Sequence, residues 1–519
     1  MRIIYTFIIF LFFQFLLLGQ HKNILIDNTG TPNEPSIAIN PKNPAQLVAG
    51  SNINNYYYSV DTGRTWIEGK IESGFGVWGD PAITVDTNGY FYFFHLSNAE
   101  HWIDRIVAQR SEDGGKTWTQ DSFMGYFKNK QQDKEWPVVD PGNNTLYVAW
   151  TQFDNYGSKN AMDSTHILFS KSIDGGKTWS EAMRIDDKGG DCVDGDNTVE
   201  GAMPAVGPNG EVYVAWAGPL GLMFDRSFDA GETWLEKDIF VTDIPGGWDY
   251  NIPGLSRCNG LPVTVCDLSQ SAYRGNIYIN WSDQRNGEDD TDVWLVKSSD
   301  GGNTWAQPVR VNDDLPGRHQ FLTWMTIDQK TGYLYFVFYD RREYTDNSTD
   351  VFVAISKDGG DTFENFKISE SPFTPKKSTF FGDYTNITAY DNIIRPIWTR
   401  LDGYKLSLWT ADINIDSVLA ANDDLNFSSD LFQVYQNSPN PYKDKTAISF
   451  KIHKGSKISL SIYDSLGTKI VDYIKDRYYE SGKHIIIFDN KKLQLKTGMY
   501  FYSLQYENYM KTKKMMIME

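Results

Sequence analysis

Cysteine is scarce in this sequence. The 519 residues include only Cys192, Cys258 and Cys266, and no Cys-x-x-Cys pair occurs. Cys258 and Cys266 are close enough in sequence to suggest a disulfide, but an odd number of cysteines leaves at least one thiol over. We therefore predict buried free thiols and no metal site built from cysteine.

Positive charge is also low. The chain has 49 Lys and Arg against 67 Asp and Glu, a formal net charge of −18. A nucleic-acid partner would require a basic surface, so this class of protein is excluded. The negative charge does not by itself identify a ligand.

Long apolar runs are absent after residue 19. The first 19 residues contain one early Arg followed by IIYTFIIFLFFQFLLLG, and polar sequence follows at once. This pattern is typical of a signal peptide rather than a membrane anchor. No later stretch approaches the roughly 18 apolar residues of a spanning helix. We therefore expect an exported protein without a transmembrane segment.

An octapeptide recurs six times along the chain. The copies are SVDTGRTW, SEDGGKTW, SIDGGKTW, SFDAGETW, SSDGGNTW and SKDGGDTF, beginning at Ser59, Ser111, Ser172, Ser227, Ser298 and Ser356. Their spacing of roughly 50 to 70 residues is that of propeller repeats. In each copy the Asp can accept backbone N–H bonds and a Gly permits positive φ. The last aromatic ring is expected to pack between neighbouring sheets, so we interpret these turns as structural staples.

Alternating, β-branched segments surround each octapeptide and predict four strands per repeat. Seven inner strands are predicted to begin near Pro35, Pro81, Pro137, Pro204, Pro262, Met325 and Tyr384. The last repeat has no octapeptide, and the N-terminal NILIDN at 23–28 is expected to supply its outer strand. The sequence predicts an all-β fold, a seven-bladed β-propeller over residues 20–415, or six blades if the first repeat is degenerate.

These octapeptides resemble the Asp-box, or BNR, repeats of the sialidase-like β-propeller superfamily. The resemblance covers roughly residues 30 to 415 and implies the propeller fold. It also implies a carbohydrate-active protein, although Asp boxes occur in glycosidases, polysaccharide lyases and non-enzymatic receptors.

The C-terminal part has a different composition. A polar linker is predicted at 416–430, and alternating strands over 431–519 predict a small β-sandwich. This segment resembles the C-terminal (Por) sorting domain of type IX secretion. The resemblance rests on IYDSLG, GMYFYSL, the Lys-rich end at 511–514, and on Asn437, Pro439, Asn440 and Pro441. It implies the type IX machinery as a partner and a secreted or outer-membrane surface location.

Loops on the propeller face opposite the octapeptides hold the non-repeating polar residues. The blade-to-blade loops contain Asp80, Asp133, Lys134, Glu135, Glu200, Asp249, Arg257, Arg318, His319, Asp383 and Tyr384. Loops within blades contain His95, Asp283, Arg285, Asp340, Arg341, Arg342 and Arg400. Such residues on a rigid scaffold predict one binding mouth. The alternative is that Arg285, Arg341 and Arg400 pair with nearby Asp residues or cap neighbouring blades.

The sialidase resemblance implies roles for several of these residues. Tyr384 in GDYTN would be the nucleophile, Glu200 its partner and Asp80 the acid. Arg318, Arg341 or Arg342 would hold a substrate carboxylate, which implies an acidic glycan. The Phe-Arg-Ile-Pro motif of the family is missing here, and the corresponding stretch NEPSIAINP has no Arg.

Two other functions stay open. A uronate-polysaccharide lyase would need a charge neutraliser, a base and an acid, for which Arg318, His95 or His319, and Tyr384 are available. Alternatively the propeller binds a glycan or a protein without catalysis. We expect no cofactor; the acidic stretch NGEDDTD at 286–292 is the one candidate for calcium, and His95 and His319 lack metal-ligand spacing.

Overall fold

The structure is a computed structural model. It describes residues 21–119, 121–413, 432–452, 454–464, 468–506 and 509–518. The described residues form two compact units, divided between residues 413 and 414. The predicted signal peptide and linker lie outside the described residues.

Residues 21–413 contain seven four-stranded antiparallel sheets, each a group of consecutive strands except the last. The first three sheets consist of β2 (Ser36–Ile39), β3 (Leu47–Ser51), β4 (Asn55–Ser59) and β5 (Ile67–Lys70); β6 (Gly79–Val85), β7 (Phe91–Leu96), β8 (Ile106–Ser111) and β9 (Ser122–Met124); and β10 (Gln131–Val139), β11 (Leu146–Phe153), β12 (Thr165–Ser172) and β13 (Met183–Arg184). The next three consist of β14 (Glu200–Val206), β15 (Val212–Gly218), β16 (Gly221–Ser227) and β17 (Ile239–Thr242); β20 (Val263–Cys266), β21 (Ile277–Asp283), β22 (Asp292–Ser298) and β23 (Val309–Arg310); and β24 (Gln320–Ile327), β25 (Leu334–Asp340), β26 (Asp350–Ser356) and β27 (Glu364–Lys367). A small hairpin of β18 (Asp249–Tyr250) and β19 (Cys258–Asn259) precedes β20.

The last sheet joins both ends of this unit. It contains β28 (Asn386–Tyr390), β29 (Ile393–Asp402), β30 (Lys405–Asp412) and the N-terminal β1 (Lys22–Asp27). β1 pairs antiparallel with β30, from Lys22 opposite Asp412 to Asp27 opposite Leu408. The N-terminal strand therefore completes the last sheet, as the sequence predicted.

The sheets form a closed ring. The first strands β2, β6, β10, β14, β20, β24 and β28 each contact the next, and β28 contacts β2 again. The second strands, such as β7, β11 and β25, are buried along their whole length, whereas the outermost β5 and β13 are short and largely exposed. This arrangement is a β-propeller, and it confirms the all-β prediction.

The six octapeptides share one turn geometry. In the third copy, the Asp174 carboxylate accepts bonds from Ser172 Oγ at 2.8 Å, from Thr178 Oγ1 at 2.6 Å and from the backbone N–H of Lys177 and Thr178. Burial raises the pKa of Asp174, but these bonds together outweigh it and lower the pKa to about 2. The terminal Trp179 packs edge-on against Phe94 of the preceding sheet, with ring centroids 5.7 Å apart. The turn thus links its own strands and a neighbouring blade.

The C-terminal unit is a β-sandwich. One sheet contains β31 (Phe432–Val434), β32 (Lys445–Ile452) and β35 (Gly482–Asp489); the other contains β33 (Ser456–Tyr463), β34 (Lys469–Tyr479), β36 (Gly498–Tyr506) and β37 (Tyr509–Ile517). A single 3-10 turn, Asn490–Lys492, follows β35. Phe450 and Ile486 from the first sheet share one core with Leu460 and Leu504 from the second. The predicted sandwich is therefore present.

All three cysteines are buried free thiols, so Cys258 and Cys266 are not bonded to each other. Among the described residues, no helix is long and apolar enough to cross a membrane.

Candidate functional site

The first strands bring charged residues together at one opening of the ring, which we call the mouth. Each first strand begins at this opening, so the octapeptide turns, which join third and fourth strands, lie at the opposite one. The mouth residues just before or at the start of these strands are Glu34, Asp80, Asp133, Lys134, Glu135, Glu200, Asp383 and Tyr384.

A repeated backbone irregularity directs these side chains inward. The strand register shifts at the mouth ends of β6, β10, β14 and β24. Near these shifts the chain takes left-handed conformations, with φ of 52° at Asp80, 54° at Lys134, 73° at Gly201 and 49° at Leu322. Bulges of this kind re-aim side chains and are common beside binding sites, and a positive φ at a non-glycine residue is costly.

Two cations hold one carboxylate at the centre of the mouth. Lys134 Nζ lies 2.9 Å from Asp383 Oδ2 and 3.3 Å from Asp80 Oδ2. Arg257 donates to both Asp383 oxygens, from Nε at 2.8 Å and from Nη2. Although burial raises it, the pKa of Asp383 is about 2, because Lys134 and Arg257 stabilise the carboxylate.

Other acids at the mouth have little to stabilise a negative charge. Neither oxygen of Glu135 has a hydrogen-bond partner among the described residues, and the same is true of one oxygen each of Glu34 and Glu200. Burial, followed by nearby carboxylates, raises the pKa of all three well above the usual range. Burial also raises the pKa of Asp133 to about 7, despite the opposing charge of Lys134. The mouth therefore combines one carboxylate whose pKa is lowered with several acids whose pKa values are raised.

A cavity of about 230 Å³, which we call the axial cavity, opens beside this network. Its lining consists of Asp133, Lys134, Tyr156, Asp194, Glu200, Trp248, Asp249, Arg257, Cys258, Asn259, Leu261 and Asp383. Tyr156 donates to Asp194, and Arg257 Nη1 lies 3.8 Å from the same carboxylate. Both cations of the lining are thus already engaged with protein carboxylates.

Aromatic rings form the floor of the mouth. The rings of Trp136 and Trp324 lie 4.5 Å apart, and Tyr384 packs edge-on against Trp136 at 5.1 Å. Below the two tryptophans, a mostly apolar channel of about 330 Å³ follows the first strands. The polar chemistry is therefore confined to the mouth.

The three residues predicted for catalysis, Tyr384, Glu200 and Asp80, lie at the mouth, but they do not all contact one another. Glu200 lines the axial cavity, whereas Tyr384 does not, and the Tyr384 hydroxyl has no hydrogen-bond partner among the described residues. The carboxylates that act on Tyr384 are Asp80, Glu34 and Glu135, and together with burial they raise its pKa well above the usual range.

The predicted substrate-binding residues are dispersed. Arg285 folds back onto Asp283 with Nη2 at 2.6 Å from Oδ2, and Arg342 does the same with Asp340 at 2.8 Å. Arg285 and Arg400, which pairs with Asp402, follow the local-pairing alternative, whereas Arg341 has no carboxylate within ion-pair distance among the described residues. His95 is fully buried with Nδ1 2.7 Å from its neighbour's carbonyl oxygen, and burial lowers its pKa to about 4.

The remaining three, Arg318, His319 and Arg341, do lie together. They line a separate cavity of about 470 Å³ between the fifth and sixth sheets, which we call the rim cavity. His319 Nδ1 is 3.1 Å from the hydroxyl of Thr291, and burial together with Arg341 lowers the pKa of His319 to about 4.

Lys134 and Arg257 lie in loops that the sequence placed at the mouth, but no catalytic or binding role was predicted for them, and Glu34 was not singled out. In the stretch suggested for calcium, the carboxylate of Asp292 accepts hydrogen bonds from the side chains of Asn286, Asn312 and Arg310. The part of the chain that the structure describes has no group of three or more His, Cys, Asp or Glu suited to a metal ion.

Comparison with solved structures finds similar rings in several proteins. The Hadza microbial sialidase Hz136 is 15% identical, with 72% of this chain and 74% of that chain covered and a TM-score of 0.43. The Trypanosoma rangeli sialidase is 13% identical, covering 87% and 85%, with a TM-score of 0.42. A PL25 ulvan lyase is 14% identical, covering 75% and 95%, with a TM-score of 0.44. At this identity no role of an individual residue follows.

No curated protein sequence matches the chain. One family model does match, the secretion system C-terminal sorting domain, over residues 434–518. This range is the C-terminal sandwich almost in full. The protein therefore carries a type IX secretion sorting domain, and it is exported to the extracellular space or the outer-membrane surface.

Proposed function

We propose that this secreted propeller is a glycoside hydrolase that cleaves a glycan in the axial cavity. The observation that carries the proposal is the pair of buried acids, Asp133 and Glu200, that line one cavity beside a fixed ionic network. Glycoside hydrolysis needs two carboxyl groups whose environments differ, one to give a proton and one to act as base or nucleophile.

The two acids suit these roles. Burial raises the pKa of Glu200, which favours its protonated form and suits a general acid, and its Oε1 has no hydrogen-bond partner among the described residues. Asp133, with a pKa of about 7, fits a general base, because such a group acts best when its pKa is near the working pH. Lys134 and Arg257 then fix the surrounding electrostatics through Asp383 rather than binding substrate directly.

Aromatic side chains at the cavity supply flat apolar surfaces for sugar rings. Tyr156 and Trp248 line the cavity, and the Tyr156 ring packs edge-on against Trp102 at 4.9 Å. The Trp102 side chain is 43% exposed, an unusual state for so large a ring. Amphipathic rings next to convergent polar groups are typical of small-molecule sites.

Of the three residues predicted for catalysis from the sequence, only Glu200 has a catalytic role in this proposal. Tyr384 and Asp80 have supporting positions. A tyrosine nucleophile must reach the phenolate form, and the burial of Tyr384 beside Asp80 and Glu34 opposes that ionisation. We therefore place Tyr384 in the floor of the mouth. A tyrosine-based, sialidase-like route is the alternative that the experiment below separates.

The test is digestion of a panel of neutral, uronate-containing and sulfated polysaccharides. Reducing ends should appear without a rise in absorbance near 235 nm, and Glu200→Gln and Asp133→Asn should each lower kcat by at least about 100-fold. Asp402→Asn, an exposed mouth-face loop residue paired with Arg400, is the matched control and should retain activity.

The other outcomes each point elsewhere. A rise near 235 nm would identify a lyase, and binding without turnover would identify a non-catalytic platform. Full activity in Glu200→Gln together with its loss in Tyr384→Phe would replace this mechanism by the tyrosine route. Thermal unfolding of every variant separates lost chemistry from lost fold.

A further inference from the structure

The rim cavity contains a buried cation without a counter-ion. Arg341 is 2% exposed; its Nε donates to Thr349 Oγ1 at 3.0 Å and its Nη1 to the carbonyl oxygen of Pro253 at 2.7 Å. Its Nη2 has no hydrogen-bond partner, and among the described residues no carboxylate lies within ion-pair distance of it, although the guanidinium lies over the Phe321 ring at 5.1 Å. Burial lowers the pKa of Arg341 to about 10, despite the opposing charges of Cys258 and Asp346.

This state sets Arg341 apart from comparable arginines. The described residues include two others as deeply buried, Arg105 and Arg395. Arg105 pairs with Asp104 at 2.9 Å and Arg395 pairs with Asp412 at 2.8 Å. Buried charges in proteins are normally paired, so an unpaired guanidinium beside an open cavity indicates a place for an anion from outside.

Neighbouring groups extend the donor set. Arg318 is only half-buried, has no carboxylate within ion-pair distance in the described part of the chain, and donates from Nη1 to the carbonyl oxygen of Gly317 at 2.7 Å. His319 and Asn347 add neutral polar groups to the same lining. Arginine guanidinium groups suit planar or tetrahedral oxyanions because they can donate several parallel N–H bonds.

Two carboxylates also border the rim cavity. Asp289 and Asp346 are both exposed, and Asp346 Oδ1 accepts the backbone N–H of Ser348 at 2.9 Å. The negative charges of these two carboxylates weaken the long-range attraction of the cavity's arginines for an anion in solution. Affinity would then come from the short contacts with the guanidinium groups, because charge-assisted hydrogen bonds are stronger than neutral ones.

The rim cavity is adjacent to the axial cavity. One loop, between β18 and β19, supplies Pro253 to the rim cavity, and β19 at its end supplies Cys258 to the axial cavity. Burial raises the pKa of the Cys258 thiol, and the charge of Arg341 opposes this rise. A chain of sugar rings whose scissile bond is in the axial cavity would extend across this loop.

We propose that Arg318, His319 and Arg341 form an oxyanion subsite that holds a carboxylate or sulfate group of the glycan substrate, away from the bond that is cleaved. This subsite deepens the proposed function, on which its glycan assignment rests, by naming the substrate as an acidic glycan. It also explains how a mouth lined by carboxyl groups could accept such a substrate, since the charged group would bind at the rim.

The test measures binding without turnover. Calorimetry at constant ionic strength uses glucuronate, glucose 6-sulfate and inorganic sulfate as probes, with glucose as the uncharged comparison. The acidic probes should bind saturably and glucose should not, and Arg341→Met should weaken binding at least about 10-fold. The tighter of the two acidic sugars identifies the group, and equal binding of inorganic sulfate would identify a site for the free ion and overturn the glycan assignment.

Arg318→Gln provides a second variant, because Arg318 is less buried and its loss should leave the fold intact. It should weaken the same probes, whereas Arg400→Gln, whose arginine is paired with Asp402, should not. Unchanged affinity in both Arg341→Met and Arg318→Gln, or equal binding of glucose, would overturn the subsite. Retained oxyanion binding in a protein that hydrolyses nothing would instead refute the proposed function and leave the subsite standing.

Discussion

Replacing Asp383 by Asn should destabilise the propeller because it removes the anion shared by two buried cations. Asp383 is 3% exposed, 2.9 Å from Lys134 Nζ and 2.8 Å from Arg257 Nε. Its pKa falls from the usual 3.8 to about 2, which corresponds to about 2 kcal/mol of stability at neutral pH. Breaking a buried pair by removing one partner costs roughly 3–5 kcal/mol, because the other charge is left behind. Because Asp80 and Asp194 remain near the two cations, we expect Asp383→Asn to lower the free energy of unfolding by about 3 kcal/mol, the lower end of that range.

The assay is thermal and urea unfolding of the full chain, followed through the propeller transition. For a domain of roughly 390 residues, about 2.1 cal/mol/K per residue converts 3 kcal/mol into a fall in Tm of about 4 °C. Because the pKa of Asp383 is lowered on folding, its contribution is complete above about pH 4 and is lost as pH falls through 2. The difference between wild type and Asp383→Asn should shrink over that range.

Asp402→Asn is the matched control. Its carboxylate pairs with Arg400 but is 56% exposed, so its loss should change stability by less than about 0.5 kcal/mol. Equal stability of Asp383→Asn and wild type at pH 7 would refute the reasoning. So would a difference that persists unchanged at pH 2, since it could not then arise from the carboxylate charge.

Three further predictions concern the acids and one octapeptide turn. Glu135→Gln should stabilise the protein at pH 8 by on the order of 1–3 kcal/mol and not at pH 4. The reason is that the raised pKa of Glu135 makes the wild type lose stability as pH rises. Equal Tm values of the variant and the wild type at pH 8 would contradict this. The kcat/KM profile should rise through about pH 7 as Asp133 ionises and fall at higher pH as Glu200 loses its proton, whereas a flat profile across pH 7 would exclude Asp133 as base. Asp174→Ala should lower the free energy of unfolding by about 1–2 kcal/mol and speed proteolysis at residues 172–179, because it removes the hydrogen bonds from Ser172, Lys177 and Thr178. An unchanged digestion rate would show that the turn does not depend on these bonds.

The fold was largely predictable because its information is local and repeated. Each octapeptide marks the end of a third strand, and the strand patterns between copies alternate with period two. The long-range closure was also predictable, because the last repeat lacked one strand and the N-terminus offered an unassigned one. β1 does pair with β30.

The site was predictable only in its location. Sequence reasoning placed Tyr384, Glu200 and Asp80 at one face, which follows from the order of strands and loops. It offered local pairing with Asp only as an alternative, and it did so for Arg341, which does not pair, and not for Arg342, which does. Arg285 and Arg342 each stand two residues after an Asp, whereas Arg341 stands directly after Asp340, but the loop conformation decides whether such a contact forms.

Lys134 shows most clearly what sequence reasoning lacked. The order of strands and loops placed Lys134 at the mouth, but a Lys between two acids gives no sign in the sequence that its side chain is buried between two carboxylates. The left-handed conformation at Lys134 and the register shift in β10 place it at the axis, where it is 7% exposed. A change of one residue in register reverses which face a side chain meets, so an unrecognised bulge is enough to hide a central residue.

The acids of the mouth argue for a role beyond structure. A ring that only needed stability would gain from an apolar residue or an amide at Glu135, since neither of its oxygens has a partner among the described residues. Buried acids with raised pKa values lower stability at neutral pH, and they are retained where proton transfer or binding requires them. Burial also raises the pKa of Asp225 to about 7 and that of Asp238 to about 8, and both residues flank the fourth octapeptide. At the mouth, however, several such acids adjoin one another on strands with irregular register, whereas the octapeptide Asp residues accept bonds from their own backbone. This grouping of acids is the reason to look for chemistry at the mouth.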